Sequence, residues 1–128
     1  MDPTGQRIVL VDDDRLLRKA AETALTRNGF QVFTAADGEE ALRVTRAELP
    51  DLVVLDLILP KLQGFEVLRS LKDDPTTSSI PVIVVSSLGQ EQDRQEALRL
   101  GASAYFNKAD LPLGELVKRV RETLSGGR

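Results

Sequence analysis

Cysteine and histidine are both absent from the 128-residue sequence. Without cysteine there is no disulfide framework and no thiolate metal site. Without histidine the commonest general base and metal ligand is missing. Any metal must then be held by oxygen, which favours a hard cation such as Mg²⁺, with Mn²⁺ as the alternative. No apolar run approaches the length of a membrane span, and the N-terminal MDPTGQR has no signal-peptide pattern. A cytoplasmic protein with no membrane insertion is therefore expected. An excess of positive charge is lacking as well: 17 basic residues stand against 20 acidic ones, for a net charge of −3. That balance gives no support to direct nucleic-acid binding. The LVVLD stretch has the look of a nucleotide hydrolase's acidic strand, but no GxxxxGK[ST] loop is present, and VDDD follows the first strand instead.

What is present suits one folded domain. Hydrophobic residues make up 41% of the chain, enough for a core. Three apolar runs and two short mixed runs alternate with helical patterns. Ile8 to Val11, Leu52 to Leu55 and Val82 to Val85 are unbroken apolar stretches, as in strands buried on both faces of a parallel sheet. Phe30 to Thr34 is partly polar and suits a sheet edge. Ala104 to Asn107 is the fifth strand. Asp14 is placed to cap a helix from Arg15 to Arg27, with Leu17, Ala21, Ala24 and Leu25 inward and Asn28-Gly29 as its stop. Asp37 and Glu40 have capping-box spacing ahead of a second helix that ends by Pro50. Further helices are expected after Gly64, from about Gln90 to Leu100, and from Leu113 to Leu124. The polar tetrapeptide Thr76 to Ser79 reads as an exposed loop. The division is an N-terminal extension over residues 1–6, one domain over 7–124 and a flexible tail over 125–128. The fold class is α/β, a doubly wound (βα)₅ sandwich around a five-stranded parallel sheet.

In such a sheet, ligands bind at the carboxyl ends of the strands. Those ends are chemically unlike the strands. The first ends in Asp12 and Asp13, the third in Asp56, the fourth in Ser86, and the fifth leads into Lys108. Adjacent strands lie about 4.8 Å apart, so these groups can converge. Two carboxylates roughly 4 Å apart repel by about 4 kcal/mol at an effective dielectric near 20. A divalent cation removes that cost. Any one of these residues alone would read as a turn, cap or surface residue; the set, recurring on separate strands, points to a site.

VLVDDD, LVVLDLILP, VIVVSS and GASAYFNK, at their spacings, resemble the receiver domain of two-component response regulators, the family of the chemotaxis protein CheY. The resemblance covers the chain from about Arg7 to Leu124. It implies the flavodoxin-like sheet order 2-1-3-4-5 and a phosphoprotein of bacterial-type phosphorelay signalling. It implies Asp56 as phosphoacceptor, Asp12 and Asp13 as the acidic pair holding Mg²⁺ with Asp56 and the backbone carbonyl of Ile58, and Lys108 as the partner of the phosphoryl oxygens. Ser86 matches the hydroxyl that turns onto the phosphoryl group, and Tyr105 the aromatic switch residue. The implied donor is a phosphohistidine on a sensor histidine kinase or histidine phosphotransfer protein. Such a protein is not an enzyme acting on others, although it catalyses its own phosphotransfer and slow autodephosphorylation. The implied output is a protein target bound by the surface of the fourth helix, fifth strand and fifth helix, with the regulator a monomer or a phosphorylation-dependent dimer.

Two alternatives stay beside this reading: a receiver fragment of a larger regulator, and a pseudo-receiver serving only as an interaction module. The second expects loss of an acid, the hydroxyl or the lysine, and all are retained. Three departures bear on behaviour. Ala109 follows the lysine where most receivers have proline in a cis peptide, so a trans bond or a differently shaped loop is expected. Gln63-Gly64 stands where Asp-Gly is common, with little consequence for catalysis. Ile58 and Leu88 flank the site at positions that tune hydrolysis in relatives; both are apolar, which predicts a long-lived phosphoprotein.

Overall fold

Odd and even residues of the strand Arg7–Val11 (β1) enter different cores, and this alternation organises the molecule. The computed structural model describes residues 5–87 and 89–126. With β1, the strands Gln31–Ala35 (β2), Leu52–Leu55 (β3), Val82–Ser86 (β4) and Ala104–Asn107 (β5) form one parallel sheet in the order β2-β1-β3-β4-β5. The helices are Arg15–Arg27 (α1), Gly38–Glu48 (α2), Gly64–Asp73 (α3), Glu91–Arg99 (α4) and Leu113–Ser125 (α5). Val9, Val11, Val53, Leu55 and Val84 pack with Ala41, Val67, Leu68 and Ala97 on one face. Ile8, Leu10, Val54 and Ile83 pack with Leu25, Leu116 and Val120 on the other. Each such side chain, fully buried, contributes roughly 1.5–3 kcal/mol, which is why β1, β3 and β4 have no polar face. The doubly wound fold and its strand order are as the sequence led one to expect.

Local signals set several boundaries. The Asp14 carboxylate accepts hydrogen bonds from the N–H groups of Leu16 and Leu17, starting α1 where predicted. Asp37 caps α2 by accepting from the N–H of Glu40, while Glu40 reaches back to the N–H of Ala36. Gly29 and Gly101, just past α1 and α4, have φ of 97° and 107°. The chain start is tied to β2: the carbonyl of Gln6 accepts from the N–H of Gln31. Residues 1–4 of the expected loose extension lie outside the described residues. α5 runs through Ser125, one residue past the expected helix end; residues 127 and 128 of the expected tail lie outside the described residues.

Two expectations are corrected. Leu17 is not inward but 50% exposed. β1 ends at Val11, so the first turn of α1 projects past the sheet, and only from Ala21 onward does the helix have strands to cover. Thr77, assigned to an exposed loop, is fully buried, and its hydroxyl donates to the carbonyl of Leu71 at 2.7 Å. It satisfies an acceptor near the α3 C-terminus that would otherwise be left open.

The loop carrying Asp56 onward to α3 is clamped by glycines. A Cβ added at Gly64 would lie 2.4 Å from Cα of Leu57, and one at Gly38 only 1.9 Å from the Leu62 carbonyl oxygen. Backbone bonds tie both glycines to the same loop: the N–H of Gly64 donates to the Leu57 carbonyl and that of Gly38 to the Pro60 carbonyl. Gly64→Ala should cost about 3 kcal/mol, because backbone cannot move aside as a side-chain tip would. A urea midpoint equal to that of the unaltered protein would refute this.

Candidate functional site at the carboxyl ends of the strands

Strand register brings the acidic residues together. Val11 pairs with Leu55, so Asp12 and Asp56 stand side by side one residue past the paired ends. The N–H of Asp56 donates to the Val11 carbonyl at 3.1 Å, holding the two chains together at that level. Asp56 is 4% and Asp12 8% exposed, whereas Asp13 is exposed. One carboxylate oxygen from each of the three lies within 4.8 Å of the others. Lys108 enters from the far side of the sheet end. Its Nζ donates to Oδ2 of Asp56 at 2.8 Å and lies 3.1 Å from Oδ2 of Asp12. The remaining oxygens also have partners: the N–H of Ile58 donates to Asp56 Oδ1 at 3.0 Å, and the N–H of Asp14 donates to Asp12 Oδ1 at 2.9 Å.

The charges are unevenly compensated. Burial lifts the Asp56 carboxyl above its ordinary value, and the nearby Asp12 adds to this, although Lys108 and the Ile58 N–H pull the other way. Burial opposes the charge on Lys108, but its hydrogen bond to Asp56 and the attraction of both acids outweigh that and raise its pKa. The pair is asymmetric because Asp56 is nearly enclosed with a second acid beside it, while a quarter of the Lys108 side chain reaches solvent. Lys108 thus pairs with two of the three clustered carboxylates, those of Asp12 and Asp56. A set of oxygen donors on rigid strand ends, carrying net negative charge, fits a hard divalent cation.

Ser86 and Tyr105 form a second pair. Ser86 ends β4 and is fully buried. The Tyr105 phenol is pushed up by burial, with the Ser86 side chain acting against this and Asp93 adding to it. Val84 pairs with Tyr105 and Ser86 with Asn107, so Tyr105 lies two residues back along β5 from the level of Ser86. Ile58 is exposed beside Asp56. Leu88 lies outside the described residues. The Lys108–Ala109 peptide is trans, as the missing proline predicted.

Sequence reasoning passed over some neighbours. Leu17, Leu111 and Leu113 line an apolar groove that reaches Asp56 and Lys108, with a cavity volume of about 120 Å³. Arg18 donates to the Asp12 carbonyl at 2.8 Å. Asn107, read only as a strand residue, caps the 3₁₀ turn Lys108–Asp110. Its position before a lysine with no proline after it was the available signal.

A buried aspartate at the end of a central parallel strand thus stands beside a lysine and an acidic pair, with a buried serine ending the neighbouring strand β4. The family model for the response regulator receiver domain matches residues 8–121, and the chain belongs to that family. Among curated relatives, the probable transcriptional regulator ycf27 of Guillardia theta is 41% identical over 121 residues, covering 94% of this chain and 46% of that protein. The response regulator PleD of Caulobacter vibrioides is 42% identical over 102 residues, covering 80% of this chain and 22% of that protein. The chain spans about half the length, or less, of such relatives. The receiver domain of the Francisella response regulator 1452 superposes with a TM-score of 0.89 at 27% identity, covering 97% of this chain and all of that one. A chain of the CheX–CheY–BeF₃–Mg complex from Borrelia burgdorferi gives 0.86 at 30% identity, covering 94% and 90%. No helix among the described residues is long and apolar enough to cross a membrane.

Proposed function

We propose that this domain accepts a phosphoryl group on Asp56 from a phosphohistidine of a sensor histidine kinase or histidine phosphotransfer protein. The observation that carries the reading is the buried Asp56 carboxylate contacted by Lys108 and set beside Asp12 and Asp13. Asp12, Asp13 and Asp56, with the backbone carbonyl of Ile58, would hold Mg²⁺. When bound, the cation offsets the charge of the phosphoryl oxygens and of the acids. An Asp56 oxygen, already ionised and needing no general base, forms the bond to phosphorus. The bond from phosphorus to the donor imidazole nitrogen breaks, and that nitrogen keeps the electron pair. Lys108 stays charged and moves its hydrogen bonding from carboxylate to phosphoryl oxygen. Incubation with acetyl phosphate and Mg²⁺ should add one phosphoryl mass per chain; no mass shift would sink the proposal.

The phosphorylated form should lose its label slowly. Ile58 presents an exposed apolar side chain beside Asp56, and nothing in its chemistry orients a water. Rapid loss from purified phosphoprotein, in Mg²⁺ and without a phosphatase, is the contrary result.

The output follows from added charge. A phosphoryl group brings roughly −1.5 to −2 of charge and strong acceptors beside Lys108. The Ser86 hydroxyl turns toward it and Tyr105 takes up the space released, altering the α4-β5-α5 surface for a protein partner. The place of Ser86 and Tyr105 on adjacent strands, with the Ser86 side chain acting on the Tyr105 phenol, supports this coupling. Ser86→Ala should leave phosphorylation intact and weaken phosphorylation-dependent partner binding by about five-fold, the worth of one ordinary hydrogen bond. Unchanged dependence in a binding titration would exclude Ser86 as the link.

A further inference from the structure

We infer that Asn107 is the positioning residue for Lys108, an assignment that rests on the proposed role of Lys108 at the phosphoryl site. Lysine is a point charge on a flexible four-carbon stem, so its delivery to Asp56 depends on how firmly its own backbone is held. In this chain nothing like a proline ring holds it. Residue 109 is alanine, and its peptide N–H is used: it donates to the Asn107 carboxamide oxygen at 2.9 Å. This bond spans Lys108 and caps the one-turn 3₁₀ helix Lys108–Asp110. The same turn is closed by the N–H of Leu111, which donates to the Lys108 carbonyl. A proline at 109 would have no N–H to offer, so the carboxamide and the ring are mutually exclusive ways to fix one loop.

The other end of the carboxamide is also placed. A Cβ added at Gly89 would lie 3.2 Å from Asn107 Nδ2, so the side chain rests against the loop after β4. Asn107 itself pairs with Ser86 in the sheet. It therefore stands between the strand that ends in the buried hydroxyl and the turn that aims the lysine. It touches none of the reacting groups, and its influence on the reaction runs through Lys108.

The test is a double-mutant cycle read with beryllofluoride plus Mg²⁺ and with the rate of acetyl phosphate labelling. Asn107→Ala should lower both the beryllofluoride affinity and the labelling rate by about five-fold, the fold-change of one ordinary hydrogen bond. Mg²⁺ affinity should not fall, because Asp12, Asp13 and Asp56 are not held by this turn and a less firmly held Lys108 competes less for their oxygens. Asn107→Ser, whose hydroxyl can accept from the N–H two residues on, should recover most of the loss. In a Lys108→Met background, Asn107→Ala should have no further effect. Wild-type behaviour of Asn107→Ala, an equal loss in Asn107→Ser, or an undiminished effect in Lys108→Met would each overturn the inference. An unaltered protein that forms no adduct at all is a different result, and it would overturn the phosphoacceptor reading instead.

Discussion

Asp56→Asn should reduce acetyl phosphate labelling by on the order of 10³-fold or more, to background, while the protein stays folded. Asparagine keeps the shape and an acceptor for the Ile58 N–H, but its oxygen is too weak a nucleophile for phosphorus. Stability gives this variant a second signature. Because burial raises the Asp56 pKa, the folded protein retains a proton that the unfolded chain has already released above the ordinary value of 3.8. The folded state therefore binds more protons in that window, and this group's contribution falls as pH rises from 3.8 through the higher folded value. At neutral pH the charged Asp56 is a net cost to folding. Asp56→Asn should thus melt higher than the unaltered protein in EDTA at pH 7, and the difference should fade in acid. Calorimetry at two pH values measures both effects; a lower melting temperature at pH 7 would contradict the assignment of Asp56 as under-compensated.

Lys108→Met should be the most damaging change outside the carboxylates. Labelling should fall by about 10²-fold, the usual loss when one aimed charge donor is removed. In EDTA the three acids would be left without their cation. Removing one partner of a buried pair costs about 3–5 kcal/mol, and the partial exposure of Lys108 argues for the lower part of that range or below it. Because Nζ lies on Oδ2 of both Asp12 and Asp56, two of the acids that could hold a metal, the lysine also competes with a metal. Lys108→Met should therefore bind Mg²⁺ more tightly, and Mg²⁺ should restore much of the lost stability by binding only the folded state. Isothermal titration and melting curves with and without Mg²⁺ decide this. Weaker Mg²⁺ binding would show that the lysine does not compete for those oxygens.

The strands were legible because burial on both faces leaves so few residue types that fit. Val9, Val53 and Val84 had no alternative placement once the runs were recognised. The ends of α1 were legible for a local reason, an aspartate that caps and an Asn-Gly that stops. The carboxylate cluster followed from register, since β1, β3, β4 and β5 leave the sheet at that end with a polar residue. What remained hidden was tertiary. Helical periodicity puts Leu17 on the same face as Ala21, but it carries no information about where the neighbouring strand stops. Composition makes Thr77 look exposed, because nothing local reveals the open Leu71 carbonyl waiting for its hydroxyl. Asn107 was hidden in the same way: its partner is a backbone N–H that is free only because residue 109 is not proline.

The glycine seats beneath the loop after Asp56 give the site a mechanical direction. At Gly38 and Gly64 backbone bears on backbone, so that wall is stiff. On β4 and β5 stand instead a hydroxyl, Ser86, and a phenol ring, Tyr105, each able to rotate about a single bond. A push delivered at Asp56 meets a fulcrum on one side and compliance on the other. If Asp56 takes the proposed phosphoryl group, the added charge would be expected to act along the sheet rather than through α2, with the loop as an anvil as much as a tether.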